Sequence, residues 1–178
     1  MSENKDITFI RDFATGKEIP LIGSEENRQA VEKMLINDKG YDSSDIDIDV
    51  EIAFNVKNMP YKSKVDLIVT VDKTRFMLVK CVAGSIGSWE REALAAARII
   101  APYPIPFTLV SDGNDATVIN TITGKVIGNT AVDIPTKNGA LQYLANFTPN
   151  PLPDERFEKE RLIFRTYDTM NVNVLRDE

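Results

Sequence analysis

The chain has 178 residues, 43% hydrophobic and 27% charged, with a formal net charge of −6. That size suits one domain with a small appendage, and the composition is that of a soluble globular protein, far from the disordered or fibrous extremes. It contains no histidine, which excludes His-based general acid–base chemistry, His–Asp triads and His-ligated zinc. Any metal would have to be held by carboxylates and carbonyls, as magnesium, manganese or calcium are.

The opening MSENKDITFI lacks the basic head, apolar block and small-residue cleavage site of a signal peptide. Residues 1–20 mix short polar and apolar stretches up to Pro20, as an arm or an edge strand would. A helix is predicted from Ser24, an N-cap residue type, with Glu25 and Glu26 in the first turn where the helix dipole favours acids. Its buried stripe is Val31, Met34 and Leu35, and Gly40 ends it. From Ile46 to Val56 every even position is apolar, while Asp45, Asp47, Asp49 and Glu51 stand among the odd ones. Strict alternation predicts a strand with one face in the core.

KVDLIVTV (64–71) and RFMLVKCVA (75–83) follow, parted by Asp72, Lys73 and Thr74, and read as a β-hairpin. After AGSIGS, Ser88 is the expected cap of a second helix, WEREALAAARIIA, with Trp89, Ala93, Ala96, Ala97 and Ile100 as its apolar face. PFTLVSDG (106–113) and ATVINT (116–121) are two further strands. Beyond about residue 135 the pattern is helical, with NGALQYLANF, a PNPLP linker, and an amphipathic DERFEKERLIFRTYDTM capped by Asp154. A helix between the third and fourth strands is a crossover, so that pair should be parallel while the first three strands form antiparallel meanders. The expectation is one α/β domain: a mixed sheet flanked by helices over about 20–135, with a helical extension over 136–178.

If the hairpin turns about Lys73, paired positions sum to 146 and Asp66 faces Lys80 across adjacent strands. These are the only two charges well inside the hairpin strands. A lysine inside FMLVKCVA is costly without a partner or a task. Either the two fix the hairpin register as a partly buried ion pair, or they belong to a site.

Other motifs carry less. The Asp45–Glu51 ladder lacks the glycine and terminal bidentate glutamate of a calcium loop and reads as a solvated face. AGSIGS lacks a Gly-Lys-Ser/Thr ending and fails as a P-loop, although N–H groups at that helix start could take a DNA phosphate. The lone Cys81 excludes an internal disulfide and reads as a core residue, and a cytoplasmic location is the default. The apolar stretches are strand-length, so no membrane association is expected. Net acidity disfavours a large nucleic-acid footprint but permits a local basic patch.

The order helix, three antiparallel strands, crossover helix and parallel strand resembles the core of the restriction-endonuclease-like, or PD-(D/E)xK, nucleases. More specifically, GSEENRQAVEKML, KVDLIV, SWEREALAAARII and IPFTLVSDGNDATVINTITGKVIG resemble the N-terminal nuclease domain of type I restriction enzyme R subunits, and ERFEKERLIFRTYD resembles the helix that often follows. That resemblance implies an αβββαβ core, action on DNA, and Mg²⁺ held by a strand-two aspartate and a strand-three Glu-x-Lys, whose lysine orients or activates water.

The motif itself departs from the family. With Asp66 as the aspartate, Lys80-Cys81-Val82 stands where Glu-x-Lys belongs; with Lys80 as the motif lysine, the glutamate position is Leu78. Two readings follow. In the first, a stand-alone relative of the R-subunit nuclease domain uses Asp66, Lys80 and Glu51 in Mg²⁺-dependent hydrolysis. Its metal is held by Asp66 and by acids from Glu51, Glu25 or Glu26, and Arg91 and Arg98 contact the DNA backbone. In the second, the nuclease fold is catalytically inactive and serves as a module for DNA or for a protein partner, as in a restriction-modification-like assembly. The lack of any Walker-type sequence in the chain is in keeping with the second.

Overall fold

The computed structural model describes residues 7–174. Its centre is a six-stranded sheet in the order β3-β4-β5-β6-β7-β8, made of β3 (Ile46–Val56), β4 (Met59–Val71), β5 (Thr74–Cys81), β6 (Phe107–Ser111), β7 (Ala116–Asn120) and β8 (Lys125–Gly128). As expected, β3, β4 and β5 run antiparallel, and β5 pairs β6 in parallel through the crossover helix α2 (Glu90–Ile99). The arm is a separate two-stranded hairpin of β1 (Phe9–Arg11) and β2 (Glu18–Pro20). Strand β8 is short and exposed up to its last residue, and no alternation in its sequence marks it.

Helix α1 (Glu25–Lys33) starts after Ser24, whose side chain makes no capping hydrogen bond, and continues as a π-helical turn over Met34–Asp38. Gly40, at φ 77°, ends it in the left-handed conformation that glycine adopts freely. The second helix begins later than its sequence suggests: a 3₁₀ turn takes up Ile86–Ser88, and Trp89 is the N-cap of α2. Helices α3 (Lys137–Leu144) and α4 (Asp154–Val174) make up the extension.

Two apolar layers hold the sheet. On one face Val31 of α1, Leu35 of the π-helical turn and Ala140 of α3 pack on Leu67, Val69, Phe76, Met77, Val79 and Leu109. On the other, the alanines of α2 and Phe164 of α4 pack on Ile68, Leu78, Val110 and Ile52. Burying a side chain such as Leu67 or Phe164 contributes about 1.5–3 kcal/mol each, so these layers dominate the stabilisation.

Strand β3 does not keep one face in the core, contrary to its alternation. Ile46 and Ile48 join the α1 layer, whereas Val50, Ile52 and Phe54 join the α2 layer. The switch falls at Asp49, whose φ is 53°. Pairing with β4 skips this position, running from Ile48↔Leu67 directly to Val50↔Val65. Asp66 lies opposite that kink.

The β4–β5 turn also differs in detail. It has two central residues, Asp72 and Lys73, both at positive φ (47° and 63°), and pairs Val71 with Thr74, the geometry of a two-residue type I′ hairpin. Thr70↔Arg75 therefore sums to 145, but Phe76 is an extra residue and Val69↔Met77 restores the sum of 146. The bulge returns the hairpin to the register in which residue 66 faces residue 80.

Candidate functional site

Leu67↔Val79 is the last regular pair of the β4–β5 ladder, and Asp66 and Lys80 stand one step beyond it. The carboxylate of Asp66 accepts a hydrogen bond from the Cys81 backbone N–H (2.7 Å), and its Oδ2 lies 3.8 Å from Lys80 Nζ. The ammonium is closer to a second acid: Glu92 Oε1 of α2 is 3.4 Å away. It also sits over the Trp89 ring at 4.9 Å from the centroid. Lys80 is thus held by three groups, one on β4 and two at the start of α2.

Helix α4 closes the cluster from outside. Asn171 donates to Glu92, and Tyr61 of β4 donates its hydroxyl to Asp168. Glu92 is 3% and Asp168 7% exposed, so the α2 and α4 side of the cluster is buried, while Lys80 and Asp66 keep part of their exposure. Burial pushes the Asp66 carboxyl above its usual range, against the opposing pull of Lys80 and the Cys81 N–H. Burial raises Glu92 too, with Lys80 pulling it down and Asp168 adding to the rise. For Lys80, burial disfavours the ammonium, yet Asp66 and Glu92 outweigh it and raise its pKa.

A second charged network lies beneath the arm. Arg28 of α1 pairs with Glu25 (2.7 Å), Glu32 (3.2 Å) and Asp12 (3.4 Å). Gln29 donates to both Asp12 and Glu25 and accepts from the Phe13 N–H, fastening β1–β2 to α1. Burial and the neighbouring Asp12 lift Glu32 to about 7.

The structure brings Asp66 and Lys80 together but leaves the other candidates elsewhere. Glu51 lies on the outer part of β3, largely exposed, 3.7 Å from Lys62. Glu26 is exposed beside the arm, among Ile10, Arg11 and Lys33, and Glu25 is bound to Arg28. Arg98 is 4% exposed and spends its guanidinium on Glu160 (2.7 Å) and the Thr121 carbonyl (3.0 Å). Arg91 remains accessible on α2, 3.9 Å from Glu160. The sequence motifs do not single out Glu92, although it lies one helical turn from Trp89 and beside the apolar stripe. That placement is the signal that could have found it.

A divalent cation does not fit this centre. The volume between Asp66 and Glu92 holds the Lys80 ammonium, which would repel it, and one Asp66 oxygen is engaged by the Cys81 N–H. Among the described residues no group of three or more Asp, Glu, Cys or His side chains is arranged to hold a metal.

A helix, three antiparallel strands, a crossover helix and a parallel strand, with an aspartate and a lysine facing each other across the second and third strands, define a restriction-endonuclease-like α/β fold. A family model described as the N terminus of the type I restriction enzyme R protein matches residues 23–135, more than half of the chain, and the chain belongs to that family. The matched segment runs from the start of α1 to the loop before α3 and excludes α4. No curated protein and no solved structure matches the chain. No helix among the described residues is long and apolar enough to cross a membrane.

Proposed function

We propose that this chain is a nuclease-fold module of the R-subunit kind that engages DNA without hydrolysing it. The observation that carries the reading is the Lys80 ammonium between Asp66 and Glu92, 3.8 and 3.4 Å from their oxygens. It neutralises the carboxylates that a hydrolytic centre would offer to Mg²⁺, and Asp168 and Asn171 of α4 cover the same cluster. The family membership supports DNA as the ligand class. Hydrolysis through Asp66, Glu51 and Lys80 has less support, because Glu51 is paired with Lys62 on the outer strand.

Supercoiled plasmid incubated with the protein in Mg²⁺ or Mn²⁺ should stay intact, while a labelled duplex shifts at low salt. Metal-dependent nicking that disappears in Asp66→Asn would overturn the inactive reading, and absence of any duplex binding would overturn the DNA reading. The variant Lys80→Glu supplies a positive control. It replaces the ammonium with a carboxylate between those of Asp66 and Glu92, and Mn²⁺ should bind this variant alone.

A further inference from the structure

Where α2 and the first turns of α4 lie side by side, an open notch of about 430 Å³ is lined by Arg91, Arg98, Arg156 and Lys159, with Glu155 and Glu160 as its acids. Four cations against two carboxylates leave a surplus of two positive charges, on a chain whose net charge is −6. The surplus is concentrated further by burial. Glu160 is 3% exposed and its close partner is the equally buried Arg98, at 2.7 Å.

Two of the remaining cations are drawn toward Glu160 without being bonded to it. Arg91 and Arg156 each lie 3.9 Å from its oxygens, beyond hydrogen-bond reach, and Glu160 Oε2 accepts no hydrogen bond among the described residues. Their N–H groups, and the ammonium of exposed Lys159, can turn to another acceptor. Arg98 records the crowding: burial first, then Arg156 and Arg91, hold its pKa below the usual guanidinium value. Arg98 is also held from behind by Gly124, where a Cβ would stand 3.1 Å from its Nη2.

We propose that this notch is a phosphate-binding site, in which Arg91, Arg156 and Lys159 grip a phosphate group while the Arg98–Glu160 pair holds the two helices at the right separation. Guanidinium groups with unspent forked donors suit a tetrahedral oxyanion. The volume suits a diphosphate or a mononucleotide. Among the described residues no aromatic side chain lines the notch, so recognition falls on phosphate and not on a base. The site is separate from the Asp66–Lys80–Glu92 cluster, and α4 lies outside the matched family segment; the proposal therefore stands whether or not the chain binds DNA.

Inorganic pyrophosphate titrated into the full chain, followed by calorimetry and by arginine Nε–Hε resonances, should show one saturable site centred on Arg91 and Arg156. The double change Arg156→Gln, Lys159→Gln neutralises exposed residues without setting a new carboxylate beside buried Glu160, so the fold should hold while pyrophosphate affinity falls by about tenfold or more. No saturable binding, or equal affinity in the folded variant, overturns the proposal. A labelled duplex run in parallel identifies the source of the phosphate. Loss of duplex binding in the same variant assigns the notch to the DNA backbone, whereas duplex binding that persists while pyrophosphate binding is lost assigns it to a free phosphate compound. A parent protein that binds pyrophosphate but no duplex would remove the DNA reading alone.

Discussion

Replacing Lys80 by methionine keeps much of the length of the side chain but removes the charge, and with it the cation–π contact to Trp89. Asp66 and Glu92 are then left facing each other, with Asp168 behind them and no cation between. Removing one partner of a buried ion pair costs about 3–5 kcal/mol. Lys80 and Asp66 keep 19% and 25% of their side-chain exposure, so water offsets part of the loss and the low end, about 3 kcal/mol, is expected. With a urea slope of ~2 kcal/mol per M, the unfolding midpoint should drop by about 1.5 M.

The pH dependence of Lys80→Met gives the sharper test. Asp66 and Glu92 are already raised by burial, and loss of Lys80 raises them further. A carboxyl whose folded pKa exceeds its unfolded value stabilises the fold below the unfolded value, and that contribution disappears as pH rises through the folded one. The deficit of the variant should therefore be greatest at neutral pH and shrink as pH falls toward about 4, the unfolded carboxylate range. Adding Glu92→Gln should recover part of it, since one of the unpaired charges is removed. A variant as stable as its parent at neutral pH, or one whose deficit is independent of pH, would refute the claim that the ammonium offsets these carboxylates.

Three further outcomes are expected. Glu32, raised from 4.5 to about 7, makes a contribution that is fully present below about 4.5 and lost as pH rises through about 7. Glu32→Gln should flatten the stability profile over that window, measured by denaturant unfolding, and raise stability near pH 8 by about 3 kcal/mol, since each pH unit between the two values is worth about 1.4 kcal/mol. Phe164 is 1% exposed and packs edge-on against Phe54 and Tyr61; Phe164→Ala should cost about 3–5 kcal/mol, and amide exchange in α4 should quicken ahead of exchange in β4–β6. Cys81 is buried, and burial raises its thiol well above the ordinary value, so a thiol reagent should label the folded chain only at the rate at which it unfolds.

Much of the architecture is legible from local pattern. The alternation in β3 and the apolar stripe of the alanine-rich crossover helix carry periods of 2 and 3.6, while β4, β5 and the following strand show as short continuous apolar runs because helices cover both faces of the sheet. The opposition of Asp66 and Lys80 follows from strand register alone. It holds even though the turn has two central residues where three are expected, because the extra residue at Phe76 compensates.

What local pattern could not settle was the company these residues keep. Helix α2 reads as amphipathic, with Glu92 and Arg98 off its apolar stripe, and an isolated helix would leave both in water. In the fold α4 lies across α2, so that Glu92 meets Lys80 and Asn171, and Arg98 meets Glu160, residues up to 79 positions apart in the chain. The kink at Asp49 is equally invisible in an alternation that continues unbroken through it. Periodicity reports which side of an element turns away from water. Which charges then share a buried space depends on how a distant helix lies across that side, and the cost of burying a charge alone ensures that each one there has a partner.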